Sequence, residues 1–210
     1  MDVFATIINF FQQGGPFMFP LLIIMVIGMA IALERFLYLR RARRENRRLW
    51  EQLLLMLNKG DYEDAERAAT HSETAIGRVL GYGLASSKSA SSRDDVEMAM
   101  AESLMEVTPV LESRTHYSDT SANNATVVGL LGTIIGLIKG FPAVANVNPA
   151  EKADLLSASI SVAMNTTAFG LMVAIPLLLL HAVLQSNANE LVENVEMAAI
   201  KFLNSFGFKS

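Results

Sequence analysis

Residues 120–138 read TSANNATVVGLLGTIIGLI, without a single charged side chain. Lys139 interrupts the run, and GFPAVANV extends it to Val147. A second run, Leu155 to Asn189, is free of formal charge for thirty-five residues, longer than one membrane crossing needs. That helix is therefore expected to project into water at one end. The link around Asn146-Val-Asn-Pro149 is short, so the two runs should form an antiparallel helical hairpin. A third block precedes them, from Phe17 to about Leu39. It opens FMFPLLIIMVIGMAIAL before Glu34 and Arg35. Its twenty-three residues would cover about 34 Å as a helix, enough for a hydrocarbon core of ~30 Å.

Composition agrees with a membrane protein. The 210 residues are 51% hydrophobic and 18% charged, against roughly 25% charged in soluble domains. Mean hydropathy is +0.33. A net charge of −4 provides no basic field for nucleic acid, and the hydrophobicity argues against disorder. With no cysteine there is no disulfide scaffold, thiolate metal site or thiol nucleophile. A signal-peptide reading of the first block fails. Asp2 and no Lys or Arg precede it, and no small-residue cleavage site follows.

Direction follows from the basic flanks. Arg40, Arg41, Arg43, Arg44, Arg47 and Arg48 follow the first block, whereas only Lys152 lies in the link between the other two. The positive-inside rule then places the N-terminus and the 146–153 loop outside, and the long middle segment and the tail inside. The expected organisation is an outer amphipathic segment at 1–16 and spans at 17–39, 119–145 and 154–185. A cytoplasmic helical segment fills 40–118, and a cytoplasmic C-terminal helix fills 186–210.

Within 40–118, Trp50, Leu53, Leu54 and Leu57 recur at helical spacing, and Asn58-Lys-Gly60 ends that helix. Asp61-Tyr-Glu-Asp-Ala-Glu opens another, with acids in its first turn. Ser86 to Ser92 reads as a polar linker. Ser92 followed by Asp95 predicts an N-cap for a helix running through Val107, Leu111 and Tyr117 straight into the second block, kinked at Pro109. In the tail, Leu191, Val195, Ala198, Ala199 and Leu203 form an apolar stripe.

Catalytic chemistry is absent from the pattern. His71, His116 and His181 are far apart and lack metal-ligand spacing. GLLGTIIG has no Lys-Ser/Thr ending for a phosphate loop, and no serine elbow occurs. The chain reads as neither an enzyme nor a metal or cofactor binder. The texture of the second and third blocks is distinctive instead. Gly132, Gly136 and Gly140 form a double GxxxG stripe suited to close helix contact. Ser159, Ala163, Thr166, Thr167, Gly170 and Ala174 repeat at three- and four-residue steps beside Asn165, and Pro176 frees a backbone carbonyl. Two readings follow: a packing scaffold, or hydroxyls lining a wet path inside an oligomer.

Three motifs carry a family resemblance. GGPFMFPLLIIMVIGMAIALERFLYLRR, ANNATVVGLLGTIIGLIKGF and ISVAMNTTAFGLMVAIP resemble, in order, the three shared spans of the ExbB/TolQ/MotA proton-channel family. The resemblance implies an all-α homopentamer around a central pore, with long cytoplasmic helical extensions. It would sit in the bacterial inner membrane as the shell of a proton-driven motor. It implies a partner of the ExbD/TolR/MotB type, a single-span subunit with a membrane Asp, and contact with lipid and a TonB- or TolA-like protein. By motif, the ion-path hydroxyls are Thr133 and Thr167, and Gly132, Gly136, Gly140, Gly170 and Pro176 serve helix packing. Three spans favour the ExbB/TolQ branch, within which TonB-dependent uptake, Tol-type transport and gliding motility share the plan. Many ExbB and TolQ chains carry Glu where this one has Val162, so no pore carboxylate is carried over from this subunit.

Overall fold

The computed structural model describes residues 10–11, 14–88, 92–113, 115–145 and 147–205. The described residues form helices α1 (Met18–Lys59), α2 (Tyr62–Thr70), α3 (Ala75–Ser87), α4 (Arg93–Glu112), α5 (Thr115–Ala145) and α6 (Pro149–Ser205). Stretches long and apolar enough to cross a membrane lie in α1, α5 and α6. At 42 residues α1 is about 63 Å long, and at 57 residues α6 is about 86 Å, against a hydrocarbon core of ~30 Å. Both helices therefore extend well beyond any single crossing. The chain divides into two compact units, Met1–Leu33 with Arg114–Ala182 and Glu34–Ser113 with Val183–Ser210.

The first unit is a three-helix cluster. Met18 and Leu21 of α1, Ala122 and Ala125 of α5, and Phe169, Val173, Ala174 and Leu177 of α6 form its core. The buried face of α5 is built from small side chains, including Ala122, Ala125, Gly129, Gly132 and Gly140. Its large ones, Val127, Leu130, Ile134 and Ile138, are exposed. Small residues inside and bulky apolar residues outside suit a lipid solvent, where close backbone packing, not escape from water, holds helices together. Phe169 meets Phe10 and Phe11 edge to face, at centroid distances of 6.2 and 5.0 Å.

The second unit has a core of the kind used in water. On α6 the stripe Leu184, Ala188, Leu191, Val195, Ala198, Phe202 is buried at alternating four- and three-residue steps. In α1, Leu49 and Leu53 are buried, and the helix stops at Gly60, whose φ of +83° a side-chain-bearing residue rarely adopts. The Gly60 and Asp61 amides donate back to Leu57 and Met56 carbonyls, closing the helix end as a Schellman turn. Glu63 and Asp64 occupy the first turn of α2, and Ala65 and Ala69 are its buried residues. A Cβ on Gly77 of α3 would lie 2.9 Å from the Ala69 carbonyl oxygen, so α2 and α3 touch through their backbones.

The start of α3 is held by two side chains. Thr74 Oγ1 accepts from the Gly77 amide at 3.1 Å, and the buried Asn46 of α1 accepts from the Ile76 amide at 2.7 Å. Asn46 also donates to the Ala42 carbonyl at 2.8 Å, so its amide group is used on both sides. Ser92 and Asp95 form the reciprocal capping box at the start of α4 that their spacing predicts.

Three sequence expectations change. The helix from Ser92 does not run into α5. It ends at Glu112, Ser113 is extended with ψ 150°, and α5 starts afresh at Thr115. Pro109 stays inside α4, since losing one N–H does not by itself end a helix. At the end of α4, side chains satisfy two of the last-turn carbonyls. Arg35 Nη2 donates to the Leu111 oxygen at 2.5 Å, and Ser113 Oγ donates to Val110 at 2.9 Å. Arg35 is buried and also lies 4.6 Å from the centre of the Tyr38 ring. The third apolar block and the C-terminal tail, read as separate pieces, are one unbroken helix, α6. Ser86 and Ser87 belong to the last turn of α3 rather than to a linker, of which residues 89–91 lie outside the described residues. Most of the 1–16 segment also lies outside them.

Asn46→Leu removes the acceptor for Ile76 and leaves a buried amide without a partner. It should cost about 1–3 kcal/mol and lower the Tm of the detergent-solubilised protein by several degrees. An unchanged Tm would mean the α3 start is not held from α1.

Candidate ion-path site

The site begins with the approach of α5 to α6. A Cβ on Gly129 would lie 3.2 Å from the Gly170 Cα, and one on Gly170 would lie 2.9 Å from the Ala125 oxygen and 3.0 Å from the Gly129 Cα. Here the two backbones are in contact. Farther along α5, Gly132 faces Thr166, Gly136 faces Ala163 and Gly140 faces Ser159. Partner numbers fall as α5 numbers rise, so the helices are antiparallel. The double GxxxG stripe meets α6 of its own chain.

This closeness brings the two threonines singled out by sequence together. The Thr133 and Thr167 hydroxyls are in hydrogen-bond contact across the helix pair. Thr167 Oγ1 also lies 3.1 Å from the Gly129 oxygen, and Thr133 Oγ1 lies 3.3 Å from both the Gly129 and Ala163 oxygens. Each hydroxyl has one proton to donate and two lone pairs to offer, so the pair keeps accepting capacity while donating to a carbonyl. Both residues are half-buried within the chain.

Thr166, one step along α6, points elsewhere. It is 1% exposed, and its hydroxyl lies 2.7 Å from the Gly14 oxygen and 2.8 Å from the Val162 oxygen. The Gly-Gly-Pro segment before span one is thereby tied to α6. Sequence reading of that motif did not foresee this tie, which joins residues 152 positions apart. Thr126 bonds its own helix at the Ala122 oxygen, 3.2 Å away. Pro176 is exposed in the single chain and α6 continues through it, with Val173, Ala174 and Leu177 buried around it.

Beside the glycine stripe is a cavity of about 220 Å³ lined in part by Gly136, Lys139, Ser159, Val162 and Thr166. Val162 gives this cavity an apolar wall where a carboxylate would give it an acid. Among the described residues no group of His, Cys, Asp and Glu could hold a metal ion. Outside the apolar stretches, the hydrogen bond and charge of Glu45 raise the Arg41 pKa above its usual value, with burial opposing them.

Fold and site define a multi-pass helical membrane protein whose second and third apolar helices share a hydroxyl-bearing seam. A family model described as the MotA/TolQ/ExbB proton channel family matches residues 71–197, more than half of the chain and all of the α5–α6 seam. The chain belongs to this family, and it is a channel component rather than an enzyme. It is also 26% identical, over 213 positions covering 99% of this chain and 72% of the other, to a Methanothermobacter thermautotrophicus protein named as a homolog of the biopolymer transport protein ExbB.

Alanine substitutions should rank by what the new methyl meets. Gly170→Ala, which meets fixed backbone, should cost about 1–3 kcal/mol. Gly136→Ala, whose Cβ would lie 3.3 Å from the Ala163 Cβ, should cost less. Thermal unfolding of the two variants in one detergent checks this, and the reverse order would contradict the seam.

Proposed function

We propose that this chain is the shell subunit of a proton-driven stator of the ExbB/TolQ type. Five copies would surround single-span partner helices whose membrane Asp takes up and releases the proton. Thr133 and Thr167 would face that carboxylate. Gly132, Gly136, Gly140, Gly170 and Pro176 would shape the helices that present them. The observation that carries this reading is the hydroxyl pair bridging α5 and α6 inside the family-matched segment. A hydroxyl can accept from a neutral carboxylic acid while donating to its carbonyl, and can donate to an ionised carboxylate by turning away from that carbonyl, so the pair can serve both protonation states. The accompanying placement has spans at 17–39, 119–145 and 154–185 in an inner membrane. The N-terminus and the 146–153 loop lie outside, and 40–118 and 186–210 lie in the cytoplasm. The work done would be TonB- or Tol-type envelope transport or a related motility process.

Valine keeps the shape of threonine and removes the hydroxyl. Thr167→Val and Thr133→Val should leave assembly intact and reduce proton flux through the complex roughly tenfold to a hundredfold, while Thr126→Val should change it little. Thr166→Val should instead lower stability, because its hydroxyl ties α6 to Gly14. Normal flux in both Thr133→Val and Thr167→Val would leave the packing scaffold as the better reading.

Orientation has its own check. In this cysteine-free chain, a cysteine at Asn148 should react with an impermeant thiol reagent added outside intact cells, and one at Asn58 should not. The opposite pattern would overturn the placement.

A further inference from the structure

The seam between α5 and α6 carries a second polar station at the far end of the first unit. His181 of α6 is half-buried, and its Nδ1 lies 3.0 Å from the Thr115 carbonyl oxygen. A carbonyl only accepts, so Nδ1 must carry the hydrogen. In the neutral ring Nε2 is then a lone pair. On the same turn of α5, Thr115 Oγ1 and Ser118 Oγ are fully buried and have no hydrogen-bond partner among the described residues. Buried hydroxyls without a protein partner are ordinarily satisfied by an internal water.

The register connects this station to the first. Thr115 and Thr133 are eighteen residues apart, about five full helical turns, so they lie on one face of α5. His181 and Thr167 are fourteen apart, about 40° short of four turns and about 21 Å along the axis. Between the stations the seam is closed by Ala122, Ala125, Val173 and Leu177.

We propose that His181 is a proton-accepting group of the channel, its Nε2 receiving the proton by way of water held on the Thr115 and Ser118 hydroxyls. The proposal rests on the stator reading for the source of the proton, a carboxylic acid on the partner helix. That acid loses its proton to water and is left as a carboxylate. Water passes a proton to the Nε2 lone pair, and the ring becomes an imidazolium with Nδ1–H still on Thr115. Release of the Nε2 proton to bulk water restores the neutral ring. The other titratable groups at this end of the unit are Asp119, half-buried one turn along α5, and exposed His116. Arg114 lies outside the described residues. No charged residue occurs in 18–33 of α1 or 155–180 of α6, and the next charges on α1, Glu34 and Arg35, belong to the other unit.

Two measurements test this. The complex, purified from its own membranes by a tag on this chain, is reconstituted in liposomes containing a pH dye and driven by a potassium diffusion potential. His181→Asn places an amide N–H where Nδ1 stood, for the Thr115 carbonyl, but cannot take up a proton. It should lower flux at least about tenfold. Conducting wild type with an unchanged rate in His181→Asn would overturn the proposal. The second measurement is the tautomer of neutral His181, read from nitrogen chemical shifts of ¹⁵N-histidine-labelled protein and assigned with His181→Asn. The Nδ1–H form is expected, and the Nε2–H form would overturn the proposal. If the wild-type complex carries no protons, the stator reading fails, and the tautomer alone decides the geometry on which this site depends.

Discussion

Backbone contact between Gly129 and Gly170 is the constraint on which the first unit depends. In a bilayer, apolar side chains gain little by leaving lipid for protein, so helices associate where their surfaces approach closely enough for dispersion and polar contacts to accumulate. A Cβ at either glycine would meet backbone atoms of the opposite helix within 3.2 Å. With the axes that close, short side chains reach across. Thr133 and Thr167 meet each other and the opposite carbonyls, and Thr166 reaches Gly14. The same hydroxyls on helices held apart by leucines would fall back on their own i−4 carbonyls, as Thr126 does.

The second unit follows the other solvent's rules. Its helices bury Leu, Val, Ile and Phe, and its helix ends are closed by side chains and turns rather than left to water. Asn46 holds the start of α3, Ser92 caps α4, Arg35 satisfies its end, and Gly60 terminates α1. α1 and α6 each contribute residues to both units without interruption. A helix can serve both because its backbone hydrogen bonds are internal in either solvent, leaving only the side-chain pattern to alter.

The apolar runs were legible because solvent selects their composition over some twenty residues, too long a signal to arise by chance in a polar chain. Gly60 and the Ser92–Asp95 pair were legible because caps are local: a φ above zero or a reciprocal hydrogen bond is written in adjacent residues. The end of α4 at Glu112 was not, and one of its last-turn carbonyls is satisfied by a guanidinium from residue 35, seventy-six positions away. At the site, the Gly132–Gly136–Gly140 stripe announced a close contact, but periodicity does not say whether the neighbour is the same chain or a copy. Thr133 and Thr167 were singled out by resemblance rather than spacing, and their contact with each other was foreseen by neither. The unpartnered hydroxyls of Thr115 and Ser118 had no sequence signature, because burial of a serine or threonine at a helix start looks the same as exposure.

Everything above the fold depends on α5 and α6 presenting their hydroxyls to one another within a single subunit. The chain contains no cysteine, so a Thr133→Cys/Thr167→Cys double variant isolates that contact. Mild oxidation in native membranes should join the two positions inside one chain. The product should be a faster-migrating monomer on a non-reducing denaturing gel that returns to normal mobility on reduction. Disulfide-linked dimers and higher ladders would place the two threonines on neighbouring copies, and an uncrosslinked monomer would place them apart. Either result would contradict the seam.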